Sequence, residues 1–78
     1  MAKKKEATSL RILIGMKIRK RREALDMTQQ MAAEQCGITQ AKLSEYEGWE
    51  PGKARMTLET IEKICTGLDM SIVDLLKE

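Results

Sequence analysis

The side chains best able to act at a distance in this chain are cations, and they are gathered at one end. Residues 1–22 carry Lys3, Lys4, Lys5, Arg11, Lys17, Arg19, Lys20, Arg21 and Arg22 against the single acid Glu6, a net of +8. Residues 23–78 carry five basic and eleven acidic side chains, a net of −6, so the overall +2 conceals a strong polarity. One face of such a molecule attracts a polyanion while the rest repels it; a solvated helix face would use the same charges. Other chemistry lacks its parts. There is no histidine, and Cys36 and Cys65 are the only cysteines, so a zinc site with the usual ligand types cannot be assembled. Both thiols sit among helix-forming apolar positions and read as buried free cysteines in a reducing compartment. With no nucleophile beside a paired base, no glycine-rich phosphate loop and no metal cluster, neither an enzyme nor a cofactor is expected.

The elements that must position these cations read as helices throughout. Seventy-eight residues with 42% hydrophobic content make one small core. That core is aliphatic, because Phe is absent and Tyr46 and Trp49 are the only aromatic residues. The apolar run Leu10 to Ile18 is interrupted by Arg11, Gly15 and Lys17, short of the roughly 20 residues of a membrane span. No small-residue cleavage site follows it, and a cytoplasmic protein is expected. Residues 1–8 read as a flexible basic N-terminal arm and residues 9–78 as the folded domain. Thr8 or Ser9 is the expected cap of a first helix, with Leu10, Ile14, Ile18 and Leu25 on one face and Leu13 beside them. Ile12 and Met16 form a second stripe, which either widens the buried face or meets a partner subunit.

Thr28 caps a short helix through Gln29, Ala32, Ala33 and Cys36, ended by Gly37, and Thr39 caps a third that turns Leu43 and Tyr46 inward. Gly48-Trp49-Glu50-Pro51-Gly52 reads as a loop, in which Trp49 could pack on the domain, stack at an interface or stay exposed. Thr57 caps a fourth helix with Leu58, Ile61, Ile64, Cys65 and Leu68 on its apolar face, its end loosened by Gly67. Ser71 and Asp74 form a capping box that opens a fifth helix with Ile72, Leu75 and Leu76. No segment alternates like a strand, so the fold class is all-α with five helices.

Residues 29–48 have a spacing with a physical reason. Two short helices crossing steeply need a small residue at their closest approach, which Ala33 supplies, and a positive-φ residue in the turn, which Gly37 supplies. Ile38, Leu43 and Tyr46 then tie the second helix to the core and hold it proud of the surface. Thr28-Gln29, Ala32-Ala33, Gly37-Ile38-Thr39, Leu43-Ser44 and Tyr46-Glu47 resemble the helix-turn-helix family of Cro and the lambdoid phage repressors, also called the XRE family. Ile14-Gly15, Ile18-Arg19 and Arg22 are similar to its first helix, and Leu58 to Leu76 to its last two, so the likeness spans about Leu10 to Leu76.

This resemblance implies a lambda-repressor-like domain that binds double-stranded DNA as a homodimer on a palindromic operator, most simply as a transcriptional repressor. It implies base-reading by Gln40, Ala41, Lys42 and Glu45, with Gln29 holding a phosphate and bracing Gln40. Thr28 and Thr39 would join cap and phosphate roles, and Arg22 and Glu47 a partly buried ion pair whose arginine also touches phosphate. Arg19 and the Lys3–Lys5 arm are further phosphate or minor-groove candidates. After Glu47 the chain departs from the family, with Gly48 where an Asn often touches DNA, leaving Lys53 and Arg55 as the cations of that loop. Arg21 stands where many members carry Leu. Helix 5 and the Ile12/Met16 stripe are the candidate dimer surfaces, and no membrane or small-molecule substrate is expected. The competing reading is an antitoxin-like or adaptor module that keeps the fold and binds a protein, which the acidic C-terminal two-thirds would permit.

Overall fold

The computed structural model describes residues 3–49 and 55–76, with side chains from Arg11 onward. Five helices follow one another: α1 (Lys3–Ala24), α2 (Gln29–Cys36), α3 (Gln40–Glu47), α4 (Leu58–Gly67) and α5 (Ile72–Leu76). Among the described residues there is no strand, as the sequence pattern requires. α1 begins at Lys3 and not at the expected caps Thr8 or Ser9, which lie inside it. Lys, Glu and Ala over residues 3–7 are strong helix formers with no Gly or Pro among them, so nothing local stops the helix from extending.

Three of the interhelix connections use one device. α1, α2 and α4 each run into a residue of positive φ, namely Asp26 (62°), Gly37 (73°) and Asp69 (53°). In each the next amide reaches back to close the last turn: Met27 N–H to Arg22 O at 3.1 Å, Ile38 N–H to Ala33 O at 3.0 Å, Met70 N–H to Cys65 O at 2.9 Å. This is the Schellman arrangement, which satisfies carbonyls that the helix end would orphan. The apolar residue after each turn, Met27, Ile38 or Met70, packs against the core. The device is written twice as a near-identical tetrapeptide, Leu25-Asp26-Met27-Thr28 and Leu68-Asp69-Met70-Ser71. Its last residue then starts the next helix. Thr28 Oγ1 accepts from Met31 N–H, and Ser71 Oγ accepts from Asp74 N–H while Asp74 Oδ2 accepts from Ser71 N–H, all at 3.1 Å. Thr39 and Thr57 cap α3 and α4 in the same way.

The core lies where all five helices meet, with Ile18, Leu43, Ile64, Leu68 and Leu75 fully buried. α1 packs on α3 and α5, and α2 packs on α3 and α4. Two glycines permit these approaches. A Cβ on Gly15 would stand 2.6 Å from Tyr46 O and 2.8 Å from Glu47 O, so α1 lies directly on the C-terminal end of α3. A Cβ on Gly67 would stand 2.7 Å from Cys36 Cα. Gly67 therefore does not loosen α4, as expected from sequence; it is the last helical residue and seats α4 against the end of α2.

Leu58, expected on the inner face of α4, is exposed. It is the first residue after the Thr57 cap, and the inward stripe starts one turn later with Ile61, Ile64 and Leu68. Trp49, whose place the sequence left open, belongs to the core. Its ring meets Tyr46 edge-on at 6.4 Å, and the Arg11 guanidinium lies 5.1 Å over it, a favourable cation–π geometry. The rest of the expected 48–52 loop lies outside the described residues. Ile12 and Met16 are exposed, so the second stripe of α1 does not widen the core.

Candidate nucleic-acid interface

The α2–turn–α3 unit presents one helix outward. Leu43 and Tyr46 are buried, while Thr39, Gln40, Ala41, Lys42, Ser44 and Glu45 are exposed. All four residues expected to read bases are therefore exposed to solvent. Ser44, which sequence reasoning passed over, joins them; it stands four residues after Gln40, one turn along the same side. Lys42 Nζ and Glu45 Oε1 are 4.0 Å apart on this surface, both about half exposed. Such a pair contributes little and gives way easily to a stronger partner. The N-terminal amides of α2 and α3 carry the positive ends of the helix dipoles, and the capping hydroxyls of Thr28 and Thr39 stand beside them.

What fixes α3 in this pose is a carboxylate at its far end. Glu47 accepts from Arg22 twice, Nε to Oε2 at 2.6 Å and Nη2 to Oε1 at 3.0 Å, and from Gln29 Nε2 to Oε1 at 3.0 Å. Arg22 Nη1 also donates to Met27 O at 2.9 Å. The side chains are only 12% and 5% exposed for Arg22 and Glu47. The hydrogen bonds to Glu47 raise the Arg22 pKa, outweighing the burial that would lower it, so the guanidinium stays charged. One carboxylate thus ties α1, the start of α2 and the end of α3 together. Gln29 was expected to brace Gln40; its amide goes to Glu47 instead, because the buried charge is the stronger acceptor.

The basic run of α1 has mostly structural partners. Arg19 Nε pairs with Glu23 one turn on, at 3.1 Å, both side chains exposed. Arg21 donates Nε to Leu68 O at 2.8 Å and Nη2 to Asp69 O at 2.9 Å, and Lys17 Nζ to Asp74 O at 3.3 Å. Arg55 is exposed, and its carbonyl accepts from Tyr46 Oη at 3.4 Å. Lys53 and the side chains of Lys3, Lys4 and Lys5 lie outside the described residues. Cys36 and Cys65 are free and buried as expected, and burial holds the Cys36 thiol up at about 11.

An outward helix seated on a partner helix by an αL glycine, and locked by a buried ion pair, is the geometry of a DNA-reading unit. A family profile described as a helix-turn-helix domain matches residues 13–77. The chain belongs to the helix-turn-helix domain family. Solved structures place it among DNA-binding transcription regulators of the Cro and lambdoid-repressor type. The restriction-modification controller protein C.AhdI from Aeromonas hydrophila is 25% identical with a TM-score of 0.73, over 82% of this chain and 92% of that one. The clp gene regulator ClgR from C. glutamicum is 28% identical with a TM-score of 0.74, over 86% and 83%. A hypothetical transcription factor, NHTF from Neisseria, is 27% identical with a TM-score of 0.75, over 87% and 75%. No curated protein sequence matches the chain. Among the described residues of this helix-turn-helix domain, no helix is long and apolar enough to cross a membrane.

Proposed function

We propose that this helix-turn-helix domain is a transcriptional repressor that binds a palindromic operator as a homodimer, with α3 in the major groove. The observation that carries the reading is the outward face of α3, held rigid by the Arg22–Glu47–Gln29 network. On that face Gln40 pairs with adenine, Lys42 reaches guanine or a phosphate, Glu45 accepts from cytosine and Ala41 meets a thymine methyl. Thr28 and Thr39 each spend an oxygen lone pair on the backbone cap and keep a hydroxyl hydrogen for a phosphate. Gln29 offers a phosphate its backbone N–H at the start of α2. Arg19 and Arg55, both exposed, supply phosphate contacts with Lys53, and Arg22 reaches a phosphate through donors that Glu47 and Met27 leave unused. A cytoplasmic location suits this role.

The homodimer is supported by α5. Ile72, Val73 and Leu76 are exposed on a helix of five residues, Val73 to 62%. An isologous contact through that face doubles the DNA site and sets two half-sites about one helical turn apart. Repression then needs only occupancy of the operator. Selection from a random DNA library, with sedimentation of the bound species, tests the reading. Enriched palindromes bound by two chains are expected; unenriched pools or a single bound chain would refute it.

A further inference from the structure

α5 is a short helix, and one residue of it, Leu75, is fully buried. A single buried side chain fixes where a helix sits and leaves its direction loosely determined. Two cations of α1 supply the missing constraints. Arg21 donates to the Leu68 and Asp69 carbonyls, at 2.8 and 2.9 Å, where α4 turns into α5. Lys17 donates at 3.3 Å to the Asp74 carbonyl inside α5 itself. The two cations are four residues apart, on one face of α1. Their acceptors are carbonyls near the C-terminal ends of α4 and α5, where the helix dipole favours positive charge. With Leu75 in the core, α5 is held through the turn that leads into it, at the Asp74 carbonyl and at one buried point.

We propose that Lys17 and Arg21 are a positioning clamp that sets the angle between α5 and the reading helix α3, and so the half-site spacing the protein accepts. This rests on the homodimer through α5 argued above. α1 carries both ends of the relation. Gly15 lies against the end of α3 and Arg22 binds Glu47 on it, while Lys17 and Arg21 hold α5. A planar guanidinium serves two successive carbonyls at once, which neither Leu nor Lys at position 21 would do. Each base pair added between half-sites turns one against the other by about 35°, so a rigid α5 discriminates spacing and a loose one does not.

The test compares wild type with Lys17→Met/Arg21→Met, which keeps the apolar stems, and with the milder Arg21→Lys. Affinity is measured on single half-site DNA and on palindromes whose half-sites are moved apart one base pair at a time. Wild type is expected to favour one spacing by about tenfold over its neighbours. The double variant is expected to keep half-site affinity and native circular dichroism while that preference falls to about twofold, with Arg21→Lys between them. An unchanged spacing preference in the folded variants overturns the clamp. Equal losses on half-site and palindrome also overturn it, because the cations would then be contacting DNA directly. A wild type that sediments as a monomer on every palindrome overturns the homodimer and the spacing role together, and does so without reference to the variants.

Discussion

Glu47→Ala is expected to be among the most damaging single substitutions in the chain, and the structure gives its size. The carboxylate accepts from Arg22 twice and from Gln29 once, with both members of the ion pair almost wholly out of water. Removing it leaves the Arg22 guanidinium with the Met27 carbonyl as its remaining described partner. An arginine side chain is too basic to be deprotonated in a protein, so the group cannot shed its charge to escape. Stranding a buried charge in this way costs about 3–5 kcal/mol. A domain of this length has a total stability of about 4–12 kcal/mol, so the loss is about a quarter of it or more. At about 4–8 °C per kcal/mol, thermal unfolding followed by circular dichroism should drop on the order of 12–40 °C. The double variant Arg22→Met/Glu47→Leu removes both charges and should recover most of the loss, because the penalty belongs to the stranded ion. A Glu47→Ala cost below about 1 kcal/mol, the value of an exposed pair, would refute the reasoning. So would a double variant no more stable than the single.

Gly15→Ala and Gly37→Ala should separate crowding from backbone strain. The first places a methyl 2.6 Å from the Tyr46 carbonyl, costs about 1–3 kcal/mol, and should weaken DNA binding beyond its effect on stability because it displaces the end of α3. The second meets nothing within 4 Å but demands a φ of 73°, and should cost about 1–2 kcal/mol with DNA affinity retained in the folded fraction; titrations of both folded variants against one selected site check this. Burial raises the Cys36 thiol from 9.0 to about 11, with Cys65 adding to it. Above pH 9 the unfolded chain loses this proton while the native chain keeps it, so stability that is intact below pH 9 falls as pH rises toward 11. The fall is at most about 2–3 kcal/mol. Urea titrations across that window should show a steeper loss in wild type than in Cys36→Ala, and equal slopes would contradict it.

Local signals in the sequence were legible because their partners are near in the chain. Thr28, Thr39, Thr57 and the Ser71/Asp74 box all act as read, and Gly37 takes the left-handed turn. The same turn at Asp26 and Asp69 was harder to see, since Asp takes positive φ far less freely than Gly. The repeated Leu-Asp-Met-(Thr/Ser) was the signal that marked it. The closeness of Gly15 to α3 and of Gly67 to α2 is a tertiary fact that no local pattern encodes. The cations show the limit most clearly. A basic run suits a phosphate and a helix-end carbonyl equally, and the Leu68, Asp69 and Asp74 carbonyls that take up Arg21 and Lys17 are backbone atoms with no sequence signature. Trp49 was undecidable for the same reason, because its neighbours Arg11 and Tyr46 come from different helices.

The central claim is that the exposed face of α3 reads DNA. Its most direct measurement is the affinity of wild type and Gln40→Ala/Lys42→Ala for one selected operator and for random DNA, across a range of salt concentrations. Both residues are exposed, so the variant stays folded. It should lose operator affinity by about 30-fold or more, since each of the two lost base contacts costs about 1–3 kcal/mol. Binding to random DNA should fall far less, and its salt slope should change by at most about one phosphate contact. Equal operator affinity in the two proteins, or equal losses on operator and random DNA, would contradict the account.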